Sequence, residues 1–141
     1  MKILAFESSC DETAVAVVED GRKILSDAIA SQADLHALYG GVVPEIASRK
    51  HIEAIAALTD QALKEAGVEK KALDAVAATY APGPLGAVLV GLHFAKSAAS
   101  ALPVPLLPVH PPPGPIPPHY LTSHALHPPL PPPLMSGGLP H

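Results

Sequence analysis

A chain of 141 residues with net charge −4 and a single cysteine is long enough for one ordinary hydrophobic core and cannot form an internal disulfide. The acidic balance offers no general attraction to a phosphate backbone, so a nucleic-acid role must rest on local groups or on a partner that supplies basic surface. Apolar runs such as "AVLVGL" fall far short of the roughly 20 residues that a membrane span needs, and "MKILAFE" shows no secretory pattern, so a cytoplasmic setting is expected.

In chain order, "KILAFE" is apolar enough for a buried strand, "TAVAVVED" is a second β-rich run and "KILSDAIAS" a third. Asp20-Gly21 between the second and third is a two-residue hairpin signal, so the three strands read as an antiparallel meander. Pro44 suits the first turn of a helix, and Ile52, Ile55, Ala56, Thr59, Ala62, Leu63 and Ala66 recur at helical spacing until Gly67 supplies a stop. A helical turn around residues 70–73 leads into "DAVAATYA", a buried strand. "PLGAVLVGLHFAKSAASAL" is a second helix and "VPLLPV" a candidate final strand. The order β-β-β-α-β-α-β predicts an α/β domain, a mixed sheet with helices packed on it.

Composition then changes. Of 18 prolines only Pro44, Pro82 and Pro84 precede residue 103. Runs such as "PPPGPIPP" and "PPLPPP" lack the N–H groups of a sheet ladder and cannot continue a helix, so these runs read as polyproline II or disordered within a Pro-rich tail, 103–141, behind a folded lobe at 1–102.

Two stretches have the makings of a site. "ESSCDET", residues 7–13, concentrates oxygen-bearing side chains at the end of a buried strand. Hydroxyls and backbone N–H groups there suit phosphate, and carboxylates suit a cation or a proton. The plainer alternative is a polar turn whose Ser and Asp satisfy their own backbone. "APGPLGA", residues 81–87, opens a helix whose N-terminal dipole would favour an anion, although helix entry through Pro84 also explains it.

"MKILAFESSCDETAVAVVEDG", "ALYGGVVPEIASRKHIEAI" and "GLHFAKS" together resemble the N-terminal half of the universal tRNA threonylcarbamoyladenosine-forming transferases, bacterial type, once described as O-sialoglycoprotein endopeptidases. The similarity covers about the first 100 residues. It implies one lobe of the actin/Hsp70-like ATPase fold, a ribonuclease H-like architecture with the strand and helix order read above. The implied reaction transfers threonylcarbamoyl from its adenylate to N6 of adenosine 37 in tRNAs that read codons starting with A. A paralogous actin-like partner subunit and a small ATPase are implied as partners. The resemblance places Ser9, Asp11 and Glu12 in the active-site turn, with Asp11 and Glu12 positioning the adenylate, the tRNA or a bound cation. It gives the helix at 44–66 a partner-binding surface, with Glu45, Arg49 and His51 near its start and a homo- or heterodimer as the outcome. The plainer reading makes Ile52, Ile55 and Leu63 core, with Arg49 and Lys50 solvated. Cys10 lies in the motif but has no evident activating base. Lys96 and His93 read as helix-surface side chains.

The family's iron or zinc is implied to sit on a His-x-x-x-His pair just after "PVH", at positions that are Pro111 and Pro115 here. Proline offers no donor atom and breaks the helix that would present the pair, so only the preceding His110 survives. "LMSGGLPH" resembles the substrate loop, in which Leu134, Met135, Ser136, Gly137 and Gly138 would line the site, with Leu139 where a histidine is expected. His119, His124 and His127 show no supporting second set of contacts. "PVH", "YLT", "PP" and "SGG" stay in family register while prolines replace what lies among them, which points to an altered segment rather than an adaptation. With neither metal pair nor second lobe, the chain is expected to be catalytically incomplete alone. Two other functions compete: a non-catalytic module that binds a partner or offers polyproline to SH3, WW or EVH1 grooves, and the older metalloendopeptidase description, weakened by the missing histidines.

Overall fold

A computed structural model of the chain describes residues 1–9 and 11–110. The expectations for Cys10, Pro111 and Pro115, for His119, His124 and His127, for the loop 134–138 and for the proline runs lie outside those residues.

The meander forms as its turn chemistry requires. β1 (Lys2–Glu7) pairs antiparallel with β2 (Glu12–Glu19), which pairs antiparallel with β3 (Lys23–Ser31). Asp20 and Gly21 take φ of 55° and 70°, and the Arg22 N–H closes the turn on the Glu19 carbonyl at 3.2 Å. The loop is one residue longer than expected, because Glu19 pairs with Lys23. Val17 pairs with Ser26 and Val18 with Ile24, so Leu25 is the extra residue of a bulge. The Met1 amino group donates to Asp20 Oδ1 at 2.6 Å. This hydrogen bond raises the amino group's pKa and lowers that of Asp20.

β3 leads through a short helix, α1 (Ala33–Ala37), to α2 (Pro44–Ala66). α1 was not expected from the sequence. α2 begins with Pro44 in its first turn and ends at Gly67, φ 67°. A 3-10 turn at Lys70–Ala72 precedes β4 (Ala75–Thr79), α3 (Leu85–Ala101) and β5 (Leu106–Val109). β4 is parallel to β1 and to β5, so the sheet order is β3-β2-β1-β4-β5. The sheet therefore continues to Val109, beyond the expected limit of the lobe at residue 102. Pro108 sits on an open edge of the described sheet. Carbonyls of Pro105 and Val109 accept from Val76 and Tyr80, so residue 108, in the opposite phase, turns its missing N–H away from β4.

Alternation sorts the sheet into two faces. Leu4 and Phe6 of β1, Val15 and Val17 of β2 and Ala28 of β3 point inward to α2 and α3. Phe6 and Phe94 meet edge to face with centroids 5.4 Å apart. Full burial of side chains such as these contributes about 1.5–3 kcal/mol each. Two positions on α2 differ from the sequence reading. Ile52, expected in the core, is 63% exposed, and His51, expected on a partner-binding surface, is wholly buried. The inward stripe is Ala47, His51, Ile55, Leu58, Thr59, Ala62 and Leu63; Ile52 shares the angular position of Thr59 and Leu63, about 20° from each, but lines the open groove between α2 and α3, which leaves it uncovered. No helix among the described residues is long and apolar enough to cross a membrane.

Candidate active-site turn

β1 and β4 run parallel, and the loops at their carboxyl ends meet. In open α/β sheets this end is where ligands are bound. The first loop is the turn leaving β1 at Glu7 and entering β2 at Glu12. The second, residues 80–84, leads into α3.

The β1 end of the turn is fixed by its own carboxylate. Glu7 accepts from the Ser9 N–H through Oε1, and from the Thr79 hydroxyl of β4 through Oε2 at 2.6 Å. Ser8 continues the inward face of Leu4 and Phe6 and is buried. Its hydroxyl donates to the Ala87 carbonyl at 2.6 Å and accepts from the Gly91 N–H at 2.9 Å, two groups four residues apart on α3. A Cβ at Gly91 would lie 2.7 Å from that hydroxyl oxygen, so glycine lets the helix come this close. Gly83 makes the second close approach. With φ of 146°, a Cβ there would stand 2.5 Å from the Ser9 carbonyl oxygen. The Ser9 backbone is thus pressed against the segment that starts α3.

The other end of the turn is held from below. The Asp11 carbonyl accepts the Gln32 N–H at 2.8 Å, and Thr13 Oγ1 lies 2.7 Å from His51 Nδ1. Between the two anchors Asp11 is half-buried and Glu12 exposed. The result is a ledge fixed at both ends, with the Ser9 backbone against the segment that starts a 17-residue helix and two carboxylates at its β2 end. Such a ledge can orient a cation or a phosphorylated ligand, and the dipole of α3 favours the negative group.

Of the expected site residues, the structure brings Ser9, Asp11 and Glu12 into one turn. Glu45 and Arg49 are exposed at the start of α2 and pair with each other at 2.5 Å, while His51 faces inward. His93 and Lys96 are exposed on α3, and His110 stacks edge to face on Tyr80 with centroids 5.8 Å apart. Among the described residues no group of three or more His, Cys, Asp or Glu could hold a metal. Sequence reasoning missed Glu7 and Ser8 as anchors, and Gln32 and His36 altogether. Ser8 was within reach: it follows Leu4 and Phe6 at a spacing of two.

Several concavities adjoin the lobe's packed layers, and two of them bear on the candidate surfaces. A groove of about 540 Å³ runs between α2 and α3, with Ile52, Leu89, His93 and Phe94 in its lining. A depression of about 180 Å³ on the sheet's other face ends at Glu7 and Thr79.

The profile of the family described as TsaD, tRNA N6-adenosine threonylcarbamoyltransferase, matches residues 23–139. Proteins of that name from Syntrophotalea carbinolica and Clostridium novyi are 57% and 53% identical over 110 and 138 residues. These alignments take in 78% and 98% of this chain but 32% and 40% of the relatives, so the chain spans about a third to two fifths of their length. Among solved structures, YeaZ from Pseudomonas aeruginosa is similar with a TM-score of 0.58 and 27% identity over 77% of this chain and 42% of that one. A further structure, described as an uncharacterized protein with similarity to peptidase YEAZ from the same organism, gives 0.59 and 26%, covering 77% of this chain and 43% of that one. The lobe is an actin-like one, and with the family profile spread over most of its sequence this chain belongs to the tRNA N6-adenosine threonylcarbamoyltransferases.

Proposed function

We propose that the chain supplies the N-terminal lobe of an enzyme that moves threonylcarbamoyl from its adenylate to N6 of adenosine 37 in tRNAs reading codons that start with A. N6 forms a bond to the carbamoyl carbon, the bond from that carbon to the phosphate oxygen breaks, AMP leaves, and N6 gives up a proton. Asp11 and Glu12 position the adenylate, the tRNA or a bound cation, and Ser9 shapes the ledge on which they stand. The observation that carries this reading is the packing of the Ser9 backbone on Gly83, which sets the acidic turn beside the start of α3, where the phosphate of an adenylate is favoured. Ser136, Gly137 and Gly138, with Leu134 and Met135 before them, complete the substrate side.

The iron or zinc that the family resemblance implies does not fit the residues present at its two positions, since Pro111 and Pro115 have no donor atom. The 141-residue chain alone is expected to give no turnover, because the activity belongs to a two-lobed protein assembled with a paralogous actin-like subunit and a small ATPase.

A second reading has its own observation. Ile52 is 63% exposed beside the α2–α3 groove, with Glu45 and Arg49 nearby, so this face suits the paralogous subunit and a dimer built through the 44–66 helix. A module that only binds would need nothing more. The test is Asp11→Asn and Glu12→Gln in the longer protein that carries this segment, assayed with its partner subunits for threonylcarbamoyl incorporation into tRNA. Loss on the order of a hundredfold with partner binding intact is expected for a positioning site. Wild-type rates in both variants would leave only the binding module.

A further inference from the structure

Beneath the acidic turn lies a buried chain of polar side chains, and one main-chain group gives a direction to the hydrogen bonds that run from His36 through Gln32 to Thr13. The Val43 N–H can only donate, and it meets His36 Nδ1 at 3.2 Å. That nitrogen accepts, so the neutral His36 ring carries its proton on Nε2 and gives it to Gln32 Oε1 at 2.7 Å. With the Gln32 oxygen thus assigned, its amide nitrogen donates to the Ala47 carbonyl and toward His51 Nδ1, each at 3.4 Å. His51 Nδ1 is then also an acceptor, and it takes the Thr13 hydroxyl proton at 2.7 Å. Thr13, Gln32, His36 and His51 are 0%, 6%, 3% and 0% exposed. Polar groups so deep in a low-dielectric interior keep their partners, because an orphaned donor or acceptor there is costly.

The chain has two outlets. At one end Thr13 and, through the main chain of Gln32, Asp11 belong to the acidic turn. At the other end the Val43 N–H closes residues 38–43 onto His36, and this loop carries the exposed side chains Leu38, Tyr39 and Val42. We propose that Gln32 and His51 are positioning residues that hold Asp11 and Glu12 in place and lock the acidic turn to the loop 38–43. The catalytic consequence rests on the transferase reading above, whereas the coupling of turn to loop stands on the hydrogen bonds alone.

The test has two arms. In the first, nitrogen-15 spectra of the histidine rings in this chain are expected to show both neutral rings protonated on Nε2, and a proton on Nδ1 of either ring overturns the assignment. Gln32→Met and His51→Leu are then expected to shift the amide resonances of Asp11, Glu12 and residues 40–43 together, leaving 58–66 in place. His51→Asn, which keeps an acceptor near the Nδ1 position, retains the wild-type pattern and guards against variants that fail to fold. Shifts confined to α1 and α2, with the turn unmoved, overturn the coupling. The second arm is transfer by the longer protein with its partner subunits. Gln32→Met is expected to lower kcat on the order of ten- to a hundredfold at little change in KM, with His51→Asn close to wild type. Full kcat in Gln32→Met overturns the positioning role. A wild-type protein that transfers nothing overturns the transferase reading while the spectra still decide the coupling.

Discussion

The two halves of α2 are held to the same sheet by different forces. Toward its C-terminus Ile55, Leu58, Ala62 and Leu63 enter an apolar cluster with Leu4, Val17 and Val76, and a buried hydrogen bond from the Ser26 hydroxyl to the Ala62 carbonyl, 2.6 Å, accompanies it. Toward its N-terminus the inward positions are Ala47 and His51, whose groups engage Gln32 and Thr13 by hydrogen bonds. Apolar burial is non-directional and provides most of the free energy, whereas buried hydrogen bonds contribute little net but permit one geometry. The half that needs a defined position is the one next to the acidic turn.

The largest effect that would expose this division is at Leu63. Leu63→Ala should cost about 2–5 kcal/mol, read by urea denaturation, without moving the amide resonances of residues 11–13. A shift there would mean that the apolar half also sets the turn. Thr13→Val, similar in shape, strips one donor from a buried ring nitrogen and should cost about 1–3 kcal/mol. Here the turn resonances should move, and a purely thermodynamic effect would blur the comparison. Arg49→Ala removes an exposed pair with Glu45 on the outer face of the polar half, and about 0.3–0.5 kcal/mol is expected. A cost as large as that of Thr13→Val would show that the outer face anchors this half too.

The smallest expected effect supplies a reference remote from both halves. Asp20, with its pKa lowered by the Met1 amino group, contributes stability that is present above its ordinary value of 3.8 and is lost as pH falls through the depressed folded value. The amino group, raised, contributes below its ordinary value of 8.0 and loses that as pH rises through the folded value. The difference between wild type and Asp20→Asn should thus be flat between those two ordinary values and vanish toward either extreme. Denaturation midpoints across pH measure it, and Leu63→Ala should leave its shape unchanged.

Punctuation decides which elements are legible from sequence. Asp20-Gly21, Pro44 and Gly67 each carry a backbone preference that survives into the fold, so the hairpin and both ends of α2 could be anticipated. α1 spans five residues, too few for a periodic pattern, and it stands on His36 rather than on an apolar stripe. Ile52 shares the helical phase of the buried Thr59 and Leu63, and periodicity alone does not show that the α2–α3 groove leaves that end of the stripe open or that a histidine takes an inward position. The acidic turn announced itself by polar density and by family resemblance. Its supports did not, because Gln32 and His36 bond, besides each other and His51, main-chain groups of Asp11, Ala47 and Val43, and main-chain partners leave no mark on the side-chain pattern.

Pro108 has a consequence for self-association. A strand joining the sheet along β5 would need donors from the residues that face outward, 106 and 108, and the second of these has none. Only Leu106 presents an N–H along that strand, so a second copy finds half a ladder, too little to register against. Among the described residues, the β5 edge of the sheet is therefore a poor template for edge-to-edge growth.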